Sequence, residues 1–174
     1  MQIFELKTVE KIGEEFCTLE IAKNHLRVTS NHDDFLILSQ LKAAITFAEE
    51  FLKKFIEKRE VIASLDDLKG AEVYVTSEPL INVLNLKIID DNEEVDLVET
   101  RDFKLVGNKI ILKNTYIKRR IQIKYIAGYE VVPELIRQGI FLHLSLLYDK
   151  QVINNEILEG ILLMYQSYRK LRII

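Results

Sequence analysis

The fold is decided by one stretch, YIAGYEVVPELIRQGIFLHLSLLYDK (Tyr125–Lys150), which ends a strand and begins a helix within a few residues. Gly128 ends the β-rich run, and Pro133 stands where a helix can begin, because the first helical position does not need an N–H donor. From there apolar residues recur at helical spacing, and Phe141 widens the apolar surface beyond an ordinary amphipathic stripe. The pattern predicts a central helix over residues 133–150.

The wide apolar surface of this helix has two candidate partners. It can be buried inside the subunit, between a long helix over residues 35–57 and the sheet, which is the more common fate of such helices. It can instead face a neighbouring subunit. The residues themselves leave both interpretations open.

Three other segments are predicted to be helical. A short helix over residues 18–28 begins behind Thr18, whose hydroxyl can accept the first free amides. A long helix over residues 33–58 begins at two aspartates, where a helix N-terminus favours negative charge. The last helix covers residues 156–171 behind Asn155, a candidate cap, and it ends on cations.

The middle of the chain alternates apolar and polar residues. The runs with this period are VYVT (Val73–Thr76), LNLKI (Leu84–Ile88), FKLV and KIIL on either side of Gly107-Asn108, and RIQIKY (Arg120–Tyr125). Such runs predict about five antiparallel strands, with a two-residue hairpin at the Gly-Asn pair. They form a β insertion over residues 60–127.

Together these segments predict an α+β fold class: a helical bundle of the N- and C-terminal helices with a small antiparallel β insertion in the middle. With 174 residues and 48% hydrophobic residues, the chain can bury one sizeable core or two small ones. No linker, repeat or low-complexity segment separates the parts. We therefore expect a single domain over residues 1–174.

The composition argues against several classes of protein. A formal net charge of −3 disfavours a protein that holds nucleic acid by neutralising many phosphates. Cys17 is the single cysteine, so neither an internal disulfide nor a cysteine-based zinc site can form. No stretch has the pattern of a signal peptide or the roughly 20 apolar residues of a membrane span, so we expect a protein that is cytosolic when made.

The residues also give no pattern for catalysis or cofactor binding. Cys17, His25 and His143 are of the types that form nucleophile–base pairs, but a lone cysteine or a histidine on an apolar helix is more often a core residue. The aspartates at Asp33 are explained by helix capping rather than by a metal. No glycine-rich phosphate loop is present. We expect no catalytic residue, no metal and no cofactor.

An acidic segment, DDNEEVDLVE (Asp90–Glu99), carries six carboxylates. It is predicted to be a solvated hairpin tip, because charge on a sheet edge discourages pairing with other chains. The alternative is an exposed docking or channel-facing element that repels DNA phosphate.

The order of the motifs carries a family resemblance from Thr18 onward. The motifs are TLEIAKNHLRV (Thr18–Val28), EEFL (Glu49–Leu52), IQIKYIAGY (Ile121–Tyr129), VPELIRQGI (Val132–Ile140) and LLMYQSYRKLR (Leu162–Arg172). Each motif alone is common, but five in this order are far more specific. The chain resembles the head-tail connector family of tailed phages.

The resemblance implies a head-completion adaptor that catalyses nothing. Such a protein forms a ring of its own copies, expected to be dodecameric, under the portal protein, and it presents a surface to the next connector or tail-completion protein. Packaged DNA passes through the ring without specific binding, and no membrane is involved. The implied location is the neck of the virion, at the head-tail junction, of a phage, prophage or gene transfer agent, after assembly in the host cytoplasm.

The resemblance also makes the C-terminal helix the candidate for reaching the portal. This helix combines aromatic and arginine side chains, a mixture that is enriched in protein interfaces. The alternative is that the helix only completes the bundle. The candidate residues for the portal or subunit interface are Tyr165, Tyr168, Arg169, Lys170, Arg172 and, on the central helix, His143.

A second function class remains open at this stage. The same composition and size suit a small soluble nucleic-acid-binding or regulatory module that is encoded with phage genes.

Overall fold

The chain, described by a computed structural model, consists of two compact units, each built from separate stretches of sequence. The β unit comprises Met1–Gly13 and Glu57–Glu130, and the helical unit comprises Glu14–Ile56 and Val131–Ile174. The residues that the structure describes are 3–13, 15–66, 70–75, 77–90, 93–113, 119–149 and 155–169.

These described residues form eight strands and four helices. The strands are β1 (Ile3–Lys11), β2 (Arg59–Leu65), β3 (Glu72–Tyr74), β4 (Leu80–Asp90), β5 (Glu93–Asp96), β6 (Phe103–Val106), β7 (Lys109–Leu112) and β8 (Arg120–Ala127). The helices are α1 (Leu19–Leu26), α2 (Asp34–Leu52), α3 (Glu134–Tyr148) and α4 (Asn155–Gln166). Within the described part of the chain, none of these helices combines the length and the apolar character that crossing a membrane requires.

The larger sheet of the β unit has five antiparallel strands in the order β1-β2-β8-β4-β5. Its central strand β8 alternates as the sequence predicts, with Ile121, Ile123 and Tyr125 buried on one face. On the opposite face, Lys124 Nζ lies 2.8 Å from Glu60 Oε1 on the neighbouring strand. The core of this unit therefore lies on one face of the sheet, and the other face is charged.

The smaller sheet has three antiparallel strands in the order β3-β7-β6. The predicted hairpin is present: Gly107 and Asn108 join β6 to β7, and Gly107 has a φ of 59°. The Asn108 side-chain oxygen accepts a hydrogen bond of 2.9 Å from the Leu80 amide at the start of β4. Val73 and Ile110 are buried on one face of this sheet.

Helix α1 begins at a side-chain cap, whereas α2 begins at Asp33 without one, so the predicted capping by Asp33 is wrong. The Asp33 carboxylate instead accepts a hydrogen bond of 2.8 Å from the Tyr148 hydroxyl. Thr18 Oγ1 accepts the Ile21 amide at 3.4 Å, as predicted for the α1 cap. Helix α2 ends at Leu52, earlier than predicted, because Lys53 adopts a left-handed conformation with a φ of 56°. The Ile56 amide then donates to the Glu49 side chain at 2.9 Å and fixes the turn.

The central helix α3 packs against α1, α2 and α4 inside the helical unit. Three residues widen its apolar surface: Phe141 and Leu146 are buried there, whereas Leu142 is 39% exposed. Leu135 on the same helix is also partly exposed. Packing within the subunit therefore uses most of the wide apolar surface.

The predicted fold class, a helical bundle with a small antiparallel β insertion in the middle, is wrong. The molecule is an α+β fold in which the described strands form two antiparallel sheets. The first strand, β1, precedes all the helices, so the β unit is not an insertion in the middle of the chain.

Three strands were missed for different physical reasons. The pairing of β1 with β2 shifts register between Ile3 and Glu5 and between Thr8 and Glu10, and such irregularities break the period of two. Strand β2 lies within the predicted β insertion but was not among its predicted strands, because the apolar Ile62 between the buried Val61 and Ala63 hides the period of two. Strand β5 lies in the acidic segment, where Glu and Asp have low strand propensity.

Candidate functional site

Helix α4 and the turn after it carry most of the predicted interface. Ile161 and Tyr165 are buried on one side of the helix, whereas Leu163 is 68% exposed on another. After the helix, the Tyr168 amide donates to the Tyr165 carbonyl at 2.9 Å and the Arg169 amide donates to the Gln166 carbonyl at 3.3 Å. The helix therefore continues into an ordered turn that presents Tyr168 and Arg169 near its end.

Tyr165 is a core residue of the helical unit. Its ring centroid lies 6.1 Å from that of Phe51 on α2, and a Cβ placed on Gly139 of α3 would lie only 2.4 Å from its Cε1 atom. Burial raises the pKa of the Tyr165 phenol, because the phenolate would lose its hydration. Its hydroxyl has no hydrogen-bond partner among the described residues. Tyr165 can therefore position a surface but does not itself lie on one.

A groove lies beside this buried ring, between α2, α4 and the turn. Its volume is about 350 Å³, and it is lined by Phe51, Glu159, Leu162, Leu163, Gln166 and Arg169. The Arg169 guanidinium carbon lies 4.8 Å from the centroid of the Phe51 ring, a cation–π geometry. The lining combines apolar surface with both signs of charge, so it can accept an apolar side chain flanked by polar groups of a protein partner.

His143 lies on α3 and is buried, like Tyr165. Its ring meets Phe47 of α2 edge to face with centroids 4.7 Å apart. Burial lowers the pKa of the His143 imidazole, because the charged form would lose its hydration. In the described conformation this histidine packs within the helical unit.

The other two predicted interface residues, Lys170 and Arg172, lie outside the described residues. The four predicted interface residues that the structure describes fall into two groups by burial. Tyr168 and Arg169 occupy the turn after α4, and Tyr165 and His143 lie beneath the surface.

Two features of this region were not predicted from sequence. Phe51 lines the groove, although the sequence patterns single it out only as part of the EEFL motif and not as an interface residue. His25 stacks on Phe141 at 4.7 Å, and its Nε2 atom lies 3.1 Å from Ser145 Oγ. These contacts join α1 to α3, and only tertiary structure brings the three residues together.

Sites for metals and nucleophiles are not evident in the described part of the chain. Within those residues, no group of three or more His, Cys, Asp or Glu side chains could hold a metal ion. Cys17 is buried at the start of the helical unit.

Comparison with known proteins identifies the family. The family model for phage gp6-like head-tail connector proteins matches residues 16–110, which is more than half of the 174 residues. No curated protein matches the chain significantly. The resemblance found in the sequence motifs is therefore confirmed by the family model, and the match favours the connector over the regulatory module.

Solved structures share the fold over almost the whole chain. A chain from the neck of an empty GTA particle, computed with C6 symmetry, is similar with a TM-score of 0.81 and 19% identity, over 98% of both chains. A chain from the virion of a native gene transfer agent (GTA) particle has a TM-score of 0.77 and 20% identity, over 97% of both chains. A chain from the neck of a native GTA particle, computed with C12 symmetry, has a TM-score of 0.74 and 20% identity, over 98% of both chains.

At these identities the solved structures show a shared fold, whereas the family model covers more than half of the sequence itself. Its match begins at Phe16, just before the Thr18 cap of α1, and ends at Ile110 in β7, so it spans parts of both units. The chain belongs to the family of phage gp6-like head-tail connector proteins.

Proposed function

We propose that this connector is a structural virion protein that forms a ring of its own copies at the head-tail junction, under the portal. The observation that carries the proposal is the fold shared with a neck chain over 98% of both chains, in an assembly computed with C6 symmetry. A second similar neck was computed with C12 symmetry, which is compatible with the twelve copies that we expect. The ring completes the DNA-filled head for attachment of the tail.

A ring subunit needs two different contact surfaces, because a rotation about an axis joins one patch of each copy to another patch of the next. The helical unit exposes large apolar side chains that its own core does not cover. Phe35 at the start of α2 is 87% exposed, and Leu163 lines the groove beside α4. Such residues are candidates for contacts with neighbouring copies, the portal or the next connector.

The portal contact is proposed at the end of α4 and the residues that follow it. Arg169 lies over Phe51 at the groove, and Tyr168 stands beside it in the same turn. Lys170 and Arg172 follow directly in the sequence and add cations. Tyr165 and His143 are proposed to support this surface from below.

The protein is further proposed to act without catalysis or cofactor, as a passive passage for DNA. We expect the isolated protein to be monomeric or mixed in its oligomeric state, and to form a stable ring only on the portal. Binding to a partner that recognises only the assembled form supplies the additional stability.

Deleting residues 168–174 is expected to leave the fold intact and to weaken binding to DNA-filled heads by at least about tenfold. The fold is retained because the deletion keeps Ile161 and Tyr165, the buried residues of α4. Binding is lost because the turn and its cations are removed. The measurement is cosedimentation with DNA-filled heads that lack the protein, together with circular dichroism and thermal melting of the variant.

If the deletion unfolds the protein, a point variant in the groove tests the same portal contact. Leu163→Asp places a charge in the exposed groove and is expected to weaken head binding without loss of fold. Leu142→Asp makes the same change at a partly exposed position of α3 and serves as the control. Undiminished head binding by both the deletion and Leu163→Asp would rule out docking through this surface.

A further inference from the structure

The β unit exposes apolar side chains at both ends of one short segment, β5–turn–β6. Val95 and Val98 are half-exposed in and after β5, and Val106 is 57% exposed at the end of β6. Isolated exposed valines are ordinary on a surface. These three valines lie on either side of a turn that is held by hydrogen bonds, so the distance between them can be derived from the strand geometry.

The turn between the two strands is held by a buried carboxylate. Asp102 Oδ2 accepts the Val98 amide at 2.9 Å, and the Asp102 amide donates back to the Val98 carbonyl at 2.8 Å. The Thr100 amide donates to the Phe103 carbonyl at 2.8 Å. Asp102 is only 6% exposed, so this turn is a rigid part of the unit.

The chain leaves this turn in the direction in which it entered, because Glu99 and Phe103 form a parallel bridge. Val95 and Val106 therefore lie at opposite ends of the segment. With about 3.3 Å per strand residue, they are separated by roughly 20 Å. One copy of the chain can thus use them for two different contacts.

The first surface is the small-sheet row, defined as Tyr74, Lys109 and Val106. These residues are direct cross-strand neighbours on β3, β7 and β6, and they share the face opposite the buried Val73 and Ile110. Lys109 Nζ lies 5.2 Å from the centroid of the Tyr74 ring, so the cation stands over an aromatic surface.

Lys109 also keeps its charge. Its Nζ donates to Glu72 Oε2 at 3.0 Å, and this hydrogen bond raises the pKa of Lys109 and lowers the pKa of Glu72. Both groups are charged at neutral pH.

The second surface is the β5 edge, defined as Glu94, Val95, Asp96 and Val98. Strand β5 is the last in its sheet, and β4 is its one neighbour among the described strands. Val95 pairs with the buried Ile88, so it continues the core face of the sheet at an edge that the unit leaves uncovered. Glu94 and Asp96 alternate with it and are exposed.

We propose that the small-sheet row of one copy binds the β5 edge of a second copy. This inference rests on the proposed ring and names its subunit contact within the β unit. Valines and the Tyr74 ring meet at its centre, and Lys109 faces the carboxylates of the neighbour. Within its own unit Glu94 Oε2 lies 2.9 Å from Lys87 Nζ, whereas Asp96 accepts a hydrogen bond from the neutral Asn85. Asp96 is therefore the carboxylate through which the β5 edge attracts Lys109 of a second copy. Two different, complementary surfaces on one unit produce the head-to-tail contact that closes a ring.

The test reverses one charge at a time. Lys109→Glu makes both surfaces acidic, and Asp96→Lys makes the small-sheet row and position 96 of the β5 edge both basic. Each variant alone is expected to self-associate at least about tenfold more weakly than the unchanged protein, measured by sedimentation over a wide range of concentrations. An equimolar mixture of the two variants is expected to recover association, because each contact between unlike variants then joins opposite charges at positions 109 and 96.

Two control variants reverse charges of the same sign in the helical unit. Lys42→Glu and Glu50→Lys alter exposed positions of α2 and are expected to leave self-association unchanged. A mixture that associates no better than its components overturns the proposed contact. If the unchanged protein stays monomeric, as the proposed function allows, the two variants and their mixture are compared instead for binding to DNA-filled heads that lack the protein, and unchanged binding by each single variant overturns the contact. Binding of the unchanged protein to DNA-filled heads is measured in parallel. An unchanged protein that does not bind heads would count against the proposed ring function and not only against this contact.

Discussion

Gly139→Ala is expected to destabilise the helical unit by at least about 3 kcal/mol, the upper range for overpacking a core. The added Cβ would lie 2.4 Å from Cε1, 2.9 Å from Cζ and 3.0 Å from the hydroxyl oxygen of Tyr165. These distances are far below van der Waals contact. The Tyr165 ring is fully buried, so it cannot move aside without disturbing the packing of α4.

The matched control is Gly160→Ala, a second helical glycine. A Cβ at Gly160 meets nothing within 4 Å. Alanine there is expected to stabilise the protein by about 0.5–1 kcal/mol, because glycine loses more backbone entropy on folding. Urea unfolding followed by far-UV circular dichroism measures both variants. Equal effects of the two substitutions would mean that α3 and α4 do not approach as described.

A companion substitution locates the origin of the effect. Tyr165→Leu removes the ring that the new methyl group meets. The combination of Gly139→Ala with Tyr165→Leu is therefore expected to be less destabilised than the sum of the single variants. A purely additive result would place the strain elsewhere.

Gly128→Ala is expected to destabilise the β unit by more than about 3 kcal/mol, since strain and overpacking act together. Gly128 has a φ of 128°, a conformation that L side chains rarely adopt. Its Cβ would also lie 2.6 Å from the Glu57 carbonyl oxygen and 2.9 Å from Lys58 Cα. Both neighbours are backbone atoms, so no side-chain rotation can relieve the contact.

Gly70→Ala is the control for this substitution in the same unit. A Cβ at Gly70 meets nothing within 4 Å, so alanine there is expected to change the free energy of unfolding by less than about 0.5 kcal/mol. Denaturant unfolding compares the two variants. A Gly128→Ala protein as stable as the Gly70→Ala protein would show that the chain does not pass so close to Glu57.

Features set by neighbouring residues could be predicted from the sequence. The Thr18 cap, the Gly107-Asn108 hairpin and the alternation of β8 each depend on a short pattern, and each is present. The start of α3 after Pro133 belongs to the same group. The motif order also led to the correct family, because five local patterns in sequence are more specific than any one of them.

Features set by distant residues could not be predicted. The end of α2 depends on a left-handed Lys53, and no glycine marks the position. Strands β1 and β2 pair although α1 and α2 separate them in the sequence. The register shifts in this pair conceal the alternation of apolar and polar residues in β1. Because strand β1 and the end of α2 were not predicted, the β unit was predicted to be a small insertion in the middle of the chain.

The candidate site was predictable only in outline. Aromatic residues such as Tyr165 and Tyr168 occur both in interfaces and in cores, so their helical spacing cannot separate the two locations. The burial of Tyr165 depends on Gly139, a residue of another helix, and the groove depends on Phe51 of a third. Only the packed structure distinguishes the buried Tyr165 from Arg169 at the surface.

The central claim, that this chain is a connector at the head-tail junction, is tested most directly by electron microscopy of purified particles that carry labelled protein. The account predicts label in the neck, between the DNA-filled head and the tail, with rotational symmetry about the particle axis. Particles that are complete yet carry no label in the neck would contradict it.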